Sequence, residues 1–174
     1  IVLQTRTDRL LALLDKHGPG LHALLTRLTL RRDTAEDLMQ DLFIRLHNSD
    51  KLDTVDNLPA YARTVAINLA FDWRRKKAHR AYVNVDDAPE PATDERSPLE
   101  RMEQDERLRG VLAAAEQLGK LQRQIFIMRH VEQCSFDQIA QETGKSAHHV
   151  RALCSRAMAR VRDHCAKNLT QAKG

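Results

Sequence analysis

Apolar residues recur along most of this chain at intervals of three and four, the period of an amphipathic helix, and rarely alternate as a half-buried strand would. Leu10, Leu11, Leu13 and Leu14 predict a first helix that Gly18-Pro19-Gly20 interrupts, and Leu21, Leu24, Leu25 and Leu28 predict a second. Asp33 and Glu36 have the spacing of a capping box and open a further helix, with the stripe Ala35, Leu38, Met39, Leu42, Phe43 and Leu46. After a polar stretch from Asn48 to Asn57, the next helix starts near Leu58-Pro59, where proline is tolerated in the first turn. Ala62, Val65, Ala66, Leu69 and Trp73 carry it to about Lys77.

Residues 82–96 hold three Asp, two Glu and two Pro without periodicity, the mark of a flexible acidic linker. Ser97-Pro98-Leu99-Glu100 restarts a helix with an N-cap, a proline in the first helical position and a glutamate closing the box. That helix runs to about Gln117, and a shorter one follows near Gln122–His130. Ser135 and Gln138 then cap a helix with Phe136, Ile139 and Ala140 on its apolar face. Gly144 can stop it in the left-handed conformation, and Ser146 can cap the next. Val150, Leu153, Cys154, Ala157 and Val161 form the stripe of that last helix. The expected fold is all-α: two small helical domains, 1–81 and 97–174, joined by the 82–96 linker, with a helix-turn-helix in the second.

Charge is distributed unevenly. Residues 1–80 and 104–174 are net basic and residues 81–103 net acidic, so two basic blocks flank the linker. No apolar run approaches a membrane span, so no membrane insertion is expected. No signal-peptide pattern stands at the start, although Ile1 in place of an initiator Met leaves room for a short preceding piece. Three cysteines are an odd count without a CxxC pair, which suits a reduced, cytoplasmic setting.

Three elements carry candidate chemistry. The helix-turn-helix leaves His148, His149, Arg151, Ser155, Arg156 and Arg160 off its core stripe, as a module entering a DNA major groove would. The alternative is a helical hairpin with a solvated basic face. The 58–77 helix ends in Arg74, Arg75, Lys76 and Lys77 beside Phe71 and Trp73, with Tyr61 upstream. Cations that neutralise phosphates beside aromatics that stack on bases suit strand-separated DNA. Equally, the cations could complement the helix dipole, with Trp73 in the core. On the Asp33 helix, Glu36, Asp37, Gln40 and Asp41 stand beside Met39 and Phe43, either as a solvated face or as a dock for a basic protein partner. No Gly-rich phosphate loop, HExxH or nucleophile–base motif points to an enzyme. Cys134, His148, His149 and Cys154 could form a zinc or redox site, although Cys154 also fits the core stripe as a small hydrophobe; no metal or cofactor is expected.

These elements, in this order, resemble the extracytoplasmic-function (ECF) family of bacterial RNA polymerase sigma factors. The family pattern Ala-Glu-Asp-Leu-x-Gln-Glu/Asp-x-Phe is met by Ala35-Glu36-Asp37-Leu38-Met39-Gln40-Asp41-Leu42-Phe43. Asn-Leu-x-x-Asp-x-x-Arg-Arg/Lys is met by Asn68, Leu69, Asp72, Arg75 and Lys76. The third match takes in Leu118, Gln122-Arg123, Phe126, Ser135, Ile139-Ala140, Gly144, Ser146, Val150 and Arg156-Ala157. The resemblance implies an alternative sigma factor that binds core RNA polymerase through Asp37, Gln40, Asp41 and Phe43. It implies −10 promoter recognition and melting by Asn68, Asp72, Trp73, Arg74, Arg75 and Lys76 with the loop before their helix. It implies −35 recognition by Ser146, His148, His149, Arg151, Ser155 and Arg156, and control by an anti-sigma factor. His149 and Leu153 stand where the family usually has Thr and often Arg, and Gly119 and Gln133 where it usually has Pro and Gly. The −35 preference therefore does not carry over, and the turn at Gln133 is expected to differ. The rival reading is an autonomous helix-turn-helix regulator of duplex DNA; a further one is a structural adaptor that binds core enzyme without initiation.

Overall fold

A computed structural model describes residues 5–81 and 98–171, with side chains for 5–80 and 102–168. Among the described residues there are seven α-helices and no strand. They are α1 (Arg6–Thr29), α2 (Arg32–His47), α3 (Leu58–Ala81), α4 (Pro98–Glu116), α5 (Lys120–His130), α6 (Phe136–Thr143) and α7 (Ala147–Gln171), with a 3₁₀ turn at Asp50–Asp53. The chain divides into two compact units, Ile1–Ala92 and Thr93–Gly174. The linker expected at 82–96 and the N-cap expected at Ser97 lie outside the described residues.

In the first unit α1, α2 and α3 pack against one another pairwise. The expected break at Gly18-Pro19-Gly20 does not occur: α1 is one helix of 24 residues with Pro19 inside it. Proline costs roughly 3 kcal/mol in a helix interior and each glycine about 1 kcal/mol. The stripe keeps its phase across the three residues, and Leu10, Leu13, Leu21, Leu24, Leu25 and Leu28 are all buried. At roughly 1.5–3 kcal/mol for each buried leucine, packing outweighs the local penalty. Thr5 and Asp8 form a capping box at the start of α1, which holds the Asp8 carboxyl below its ordinary range.

The box expected from Asp33 and Glu36 is absent, because α2 begins one residue before Asp33, behind Arg31 as N-cap. The Asp33 carboxylate instead takes the Arg31 guanidinium at 2.7 Å and the Thr34 N–H at 2.7 Å, which hold its pKa down to about 2. Glu36 pairs with Arg32 at 3.5 Å. Asn57 caps α3 by accepting from the Ala60 N–H at 3.0 Å. The buried face of α3 is wider than its expected stripe and takes in Ala66, Ile67, Leu69, Ala70 and Phe71. A helix packed against two others buries two flanks, which blurs its period.

In the second unit α7 packs on α4, α5 and α6. Ser135 and Gln138 make the expected capping box, and Gly144 ends α6 at φ 66°. The Ser146 hydroxyl accepts from the His149 N–H at 3.2 Å. In the turn before α6 Gln133 sits at φ 59°, the left-handed conformation glycine adopts most readily. The Cys134 N–H closes the turn on the Met128 carbonyl at 2.9 Å.

Candidate nucleic-acid and protein interfaces

The face of α2 divides by depth. Ala35, Leu38, Leu42 and Leu46 are buried, whereas Met39 and Phe43, expected in the same stripe, are only half-buried. With Leu14, Gln40 and Ile44 these two line an open apolar depression. Ile44 in this depression is 54% exposed. Asp37, Gln40 and Asp41 are exposed on the same helix. An apolar hollow edged by carboxylates suits a protein partner that brings apolar and basic side chains, and it repels phosphate. Phe43 stacks with His47 at 6.2 Å between ring centroids, which fixes one wall.

The two aromatics of α3 part company. Phe71 is fully buried, so it is core and not a base platform. Trp73 is half-buried and carries Lys77 over its ring at 5.2 Å. Helical spacing places Tyr61, Val65, Asn68, Asp72 and Arg75/Lys76 on one partly exposed stripe. Asp72 and Arg75 form an ion pair on it. Arg74, half-buried, donates from Nη1 to the Leu28 carbonyl at the end of α1, 3.3 Å away. Lys76 is exposed. The stripe meets the preceding loop where the Tyr61 and Ser49 hydroxyls lie 2.8 Å apart.

On α7, Val150, Leu153, Cys154, Ala157 and Val161 are buried, while His148, His149, Arg151, Ser155 and Arg156 are exposed as expected. Leu153 is therefore core. Arg160 reaches Gln122 on α5 at 3.3 Å. Two guanidiniums lie over the Phe136 ring, Arg129 at 4.6 Å and Arg151 at 5.4 Å from its centroid, and Arg129 also donates to the Cys134 carbonyl at 3.0 Å. This stacking limits the directions Arg151 can take.

The zinc or redox grouping considered from sequence does not assemble. Among the described residues no three His, Cys, Asp or Glu side chains converge as metal ligands. Cys154 lies instead 3.6 Å from His130 Nε2. Burial pushes the Cys154 thiol up, and partial burial, with Arg129 nearby, pushes His130 down. A thiol so protonated is a poor nucleophile or ligand.

The sequence missed Arg6. From the first turn of α1 its Nη2 donates to the carbonyls of His47 (2.9 Å) and Ser49 (2.6 Å), and its Nη1 lies 3.2 Å from Asp53. These contacts span more than forty residues, beyond the reach of any local pattern. Leu14, in the wall around Phe43, was hidden by a leucine run in which every position looked like core.

Residues 13–80 match the family model for Sigma-70 region 2, and residues 108–161 that for Sigma-70 region 4. Among known proteins, the ferric citrate uptake sigma factor FecI of Escherichia coli (strain K12) is 27% identical over 155 residues, 88% of this chain and 87% of that protein. RNA polymerase sigma factor CarQ of Myxococcus xanthus is 28% identical over 156 residues, 87% of this chain and 86% of its own. ECF RNA polymerase sigma factor SigX of Bacillus subtilis (strain 168) is 26% identical over 157 residues, 87% and 81% respectively. A solved structure of the sigma factor RpoE in complex with the anti-sigma factor NepR from Bartonella quintana is similar at 23% identity and a TM-score of 0.49, over 87% of this chain and 92% of that one. Two sigma-70 regions in order, on the two units that carry the acidic-apolar face, the cationic stripe and the helix-turn-helix, settle the family: the chain belongs to the extracytoplasmic-function sigma factors of the sigma-70 family.

Proposed function

We propose that this chain is an alternative sigma factor that binds core RNA polymerase, directs it to specific promoters and helps open the −10 element. The carrying observation is the region 2 match over the unit that pairs an acidic-apolar docking face with a cationic-aromatic stripe. An autonomous duplex-DNA regulator, which would use residues 1–80 to dimerise or sense a ligand, is not favoured.

Within this reading Asp37, Gln40, Asp41 and Phe43 dock on core polymerase. The half-buried Met39 and the exposed Ile44 extend that surface. Asn68, Asp72, Trp73, Arg75 and Lys76 engage the −10 element, with Arg74 holding α3 against the end of α1. Ser146, His148, His149, Arg151, Ser155 and Arg156 face the −35 element, Ser146 also serving as the helix cap. The protein works in the cytoplasm and has no catalytic activity of its own; no described helix is long and apolar enough to cross a membrane. An anti-sigma factor covers the same faces when the protein is idle, because an open apolar hollow and a partly exposed cationic stripe favour a partner that shields both.

Run-off transcription with purified core polymerase and a library of double-stranded DNA randomised over both promoter elements is the direct test. Transcripts that start at selected sequences only when the protein is added are expected. Initiation that never depends on the protein overturns the proposal.

A further inference from the structure

The segment between α2 and α3 is held in shape by a side chain from the far end of its unit. Arg6 reaches three acceptors on it: the carbonyl of His47 in the last turn of α2, the carbonyl of Ser49, which caps the 3₁₀ turn, and the carboxylate of Asp53, which ends that turn. The last carbonyls of a helix have no intrahelical donor and sit at its negative pole, so a guanidinium suits them. Asp53 also lies 3.8 Å from Arg9. Exposed ion pairs hold weakly, and the Asp53 side chain is 49% exposed. The two charge-assisted carbonyl bonds therefore do most of the holding. From inside, Leu52 is fully buried and pins the middle of the turn. The Ser49 hydroxyl, 2.8 Å from that of Tyr61, joins the segment to the start of the α3 stripe.

We propose that Arg6 is a positioning residue for −10 recognition, fixing the 48–57 segment so that a base leaving the duplex beside the α3 stripe meets donors and acceptors already in place. The proposal rests on the sigma reading above. A loose loop reshapes around right and wrong bases alike, and ordering it costs conformational entropy whichever base arrives. A preformed loop leaves a wrong base with unmatched polar groups, and discrimination rises. Arg6 thus acts on sequence preference without touching DNA.

The randomised promoter library with core enzyme and full-length protein separates this role from a general structural one, because −35 preference is read by the other unit. For Arg6→Ala, base preference across the −10 element is expected to flatten at least fivefold, with −35 preference and affinity for core polymerase within twofold of wild type. Asp53→Asn, which keeps both carbonyl bonds, is expected to flatten it less than twofold, and Arg6→Lys to fall between. An unchanged −10 preference in Arg6→Ala overturns the proposal. So does equal loss of −10 and −35 preference, which marks loss of fold or assembly, and so does a larger effect from Asp53→Asn than from Arg6→Ala. Wild-type protein that starts no transcript overturns the sigma reading, and this inference with it. A working wild type beside an unaffected Arg6→Ala removes this inference alone.

Discussion

Leu30 and Gln133 are the non-glycine residues at positive φ among the described residues, and each ends or follows a helix where the chain must reverse. Gln133 is recompensed in part by donating from Nε2 to the His130 carbonyl at 3.1 Å. The left-handed conformation costs an L-residue roughly 1–2 kcal/mol, of which glycine would recover part while adding chain entropy to the unfolded state. Gln133→Gly is therefore expected to stabilise the second unit by up to about 1 kcal/mol in urea denaturation. Beside it, His130 has its pKa lowered by partial burial and by Arg129. The unfolded chain then binds a proton at a higher pH than the folded one, so the folded form loses ground as pH falls below about 6.5 and through the lower folded value. Melting temperature should decline over that window, modestly because the residue remains largely exposed, and His130→Gln should flatten the decline. A wild-type profile identical to that of His130→Gln would remove His130 from the account.

At the scale of the element, α2 separates packing from function within a single step of the chain. Leu42 is fully buried and Phe43 half-buried. Leu42→Ala is expected to destabilise the first unit by roughly 2–5 kcal/mol. Phe43→Ala should leave its melting temperature within a few degrees yet weaken binding to core polymerase at least tenfold, read in a titration of labelled protein. The buried stripe of α2, Ala35, Leu38, Leu42 and Leu46, was legible in the sequence because it keeps strict steps of three and four along the helix. The burial of Phe71 was not, since the buried residues of α3 run almost consecutively, Ala66, Ile67, Leu69, Ala70 and Phe71, and spread around the axis. The unbroken α1 was illegible for a different reason: Gly18-Pro19-Gly20 is a strong local stop, and only the leucines packed on either side overrule it. Gly20 is exposed, and a Cβ there would meet open space. Gly20→Ala should accordingly raise stability by about 0.5–1 kcal/mol, and a loss instead would mean that α1 bends there. The helix-turn-helix was read nearly whole because capping box, stop and cap are local signals. The Arg6 clamp had none, being a contact between distant parts of one unit.

Across the whole molecule, cations and anions are apportioned by partner. Net charge is only +4; exposed cations stand on the α3 stripe and on α7, among others elsewhere on the surface, while α2 presents carboxylates beside an apolar hollow. Few phosphate contacts are then available to the isolated chain, and several of its cations already have partners: Arg75 holds Asp72, Arg74 the end of α1, and Arg129 the Cys134 carbonyl. Non-specific affinity that rests on so few contacts is weak at physiological salt. Binding of duplex promoter DNA by the protein alone is therefore expected to be weak and shallow in its salt dependence, and addition of core polymerase to raise it at least a hundredfold. Arg156 is exposed on α7 with no carboxylate partner within its own turn. If it contacts a phosphate, Arg156→Ala should lower the slope of log K against log salt for the polymerase-bound form by about 1, evenly across promoter sequences. If it reads a base edge, the slope should hold while preference at a single −35 position relaxes by roughly 1–3 kcal/mol. A variant that changes neither would place the −35 contact on the remaining exposed residues of α7, with His149 and Arg151 the next to substitute.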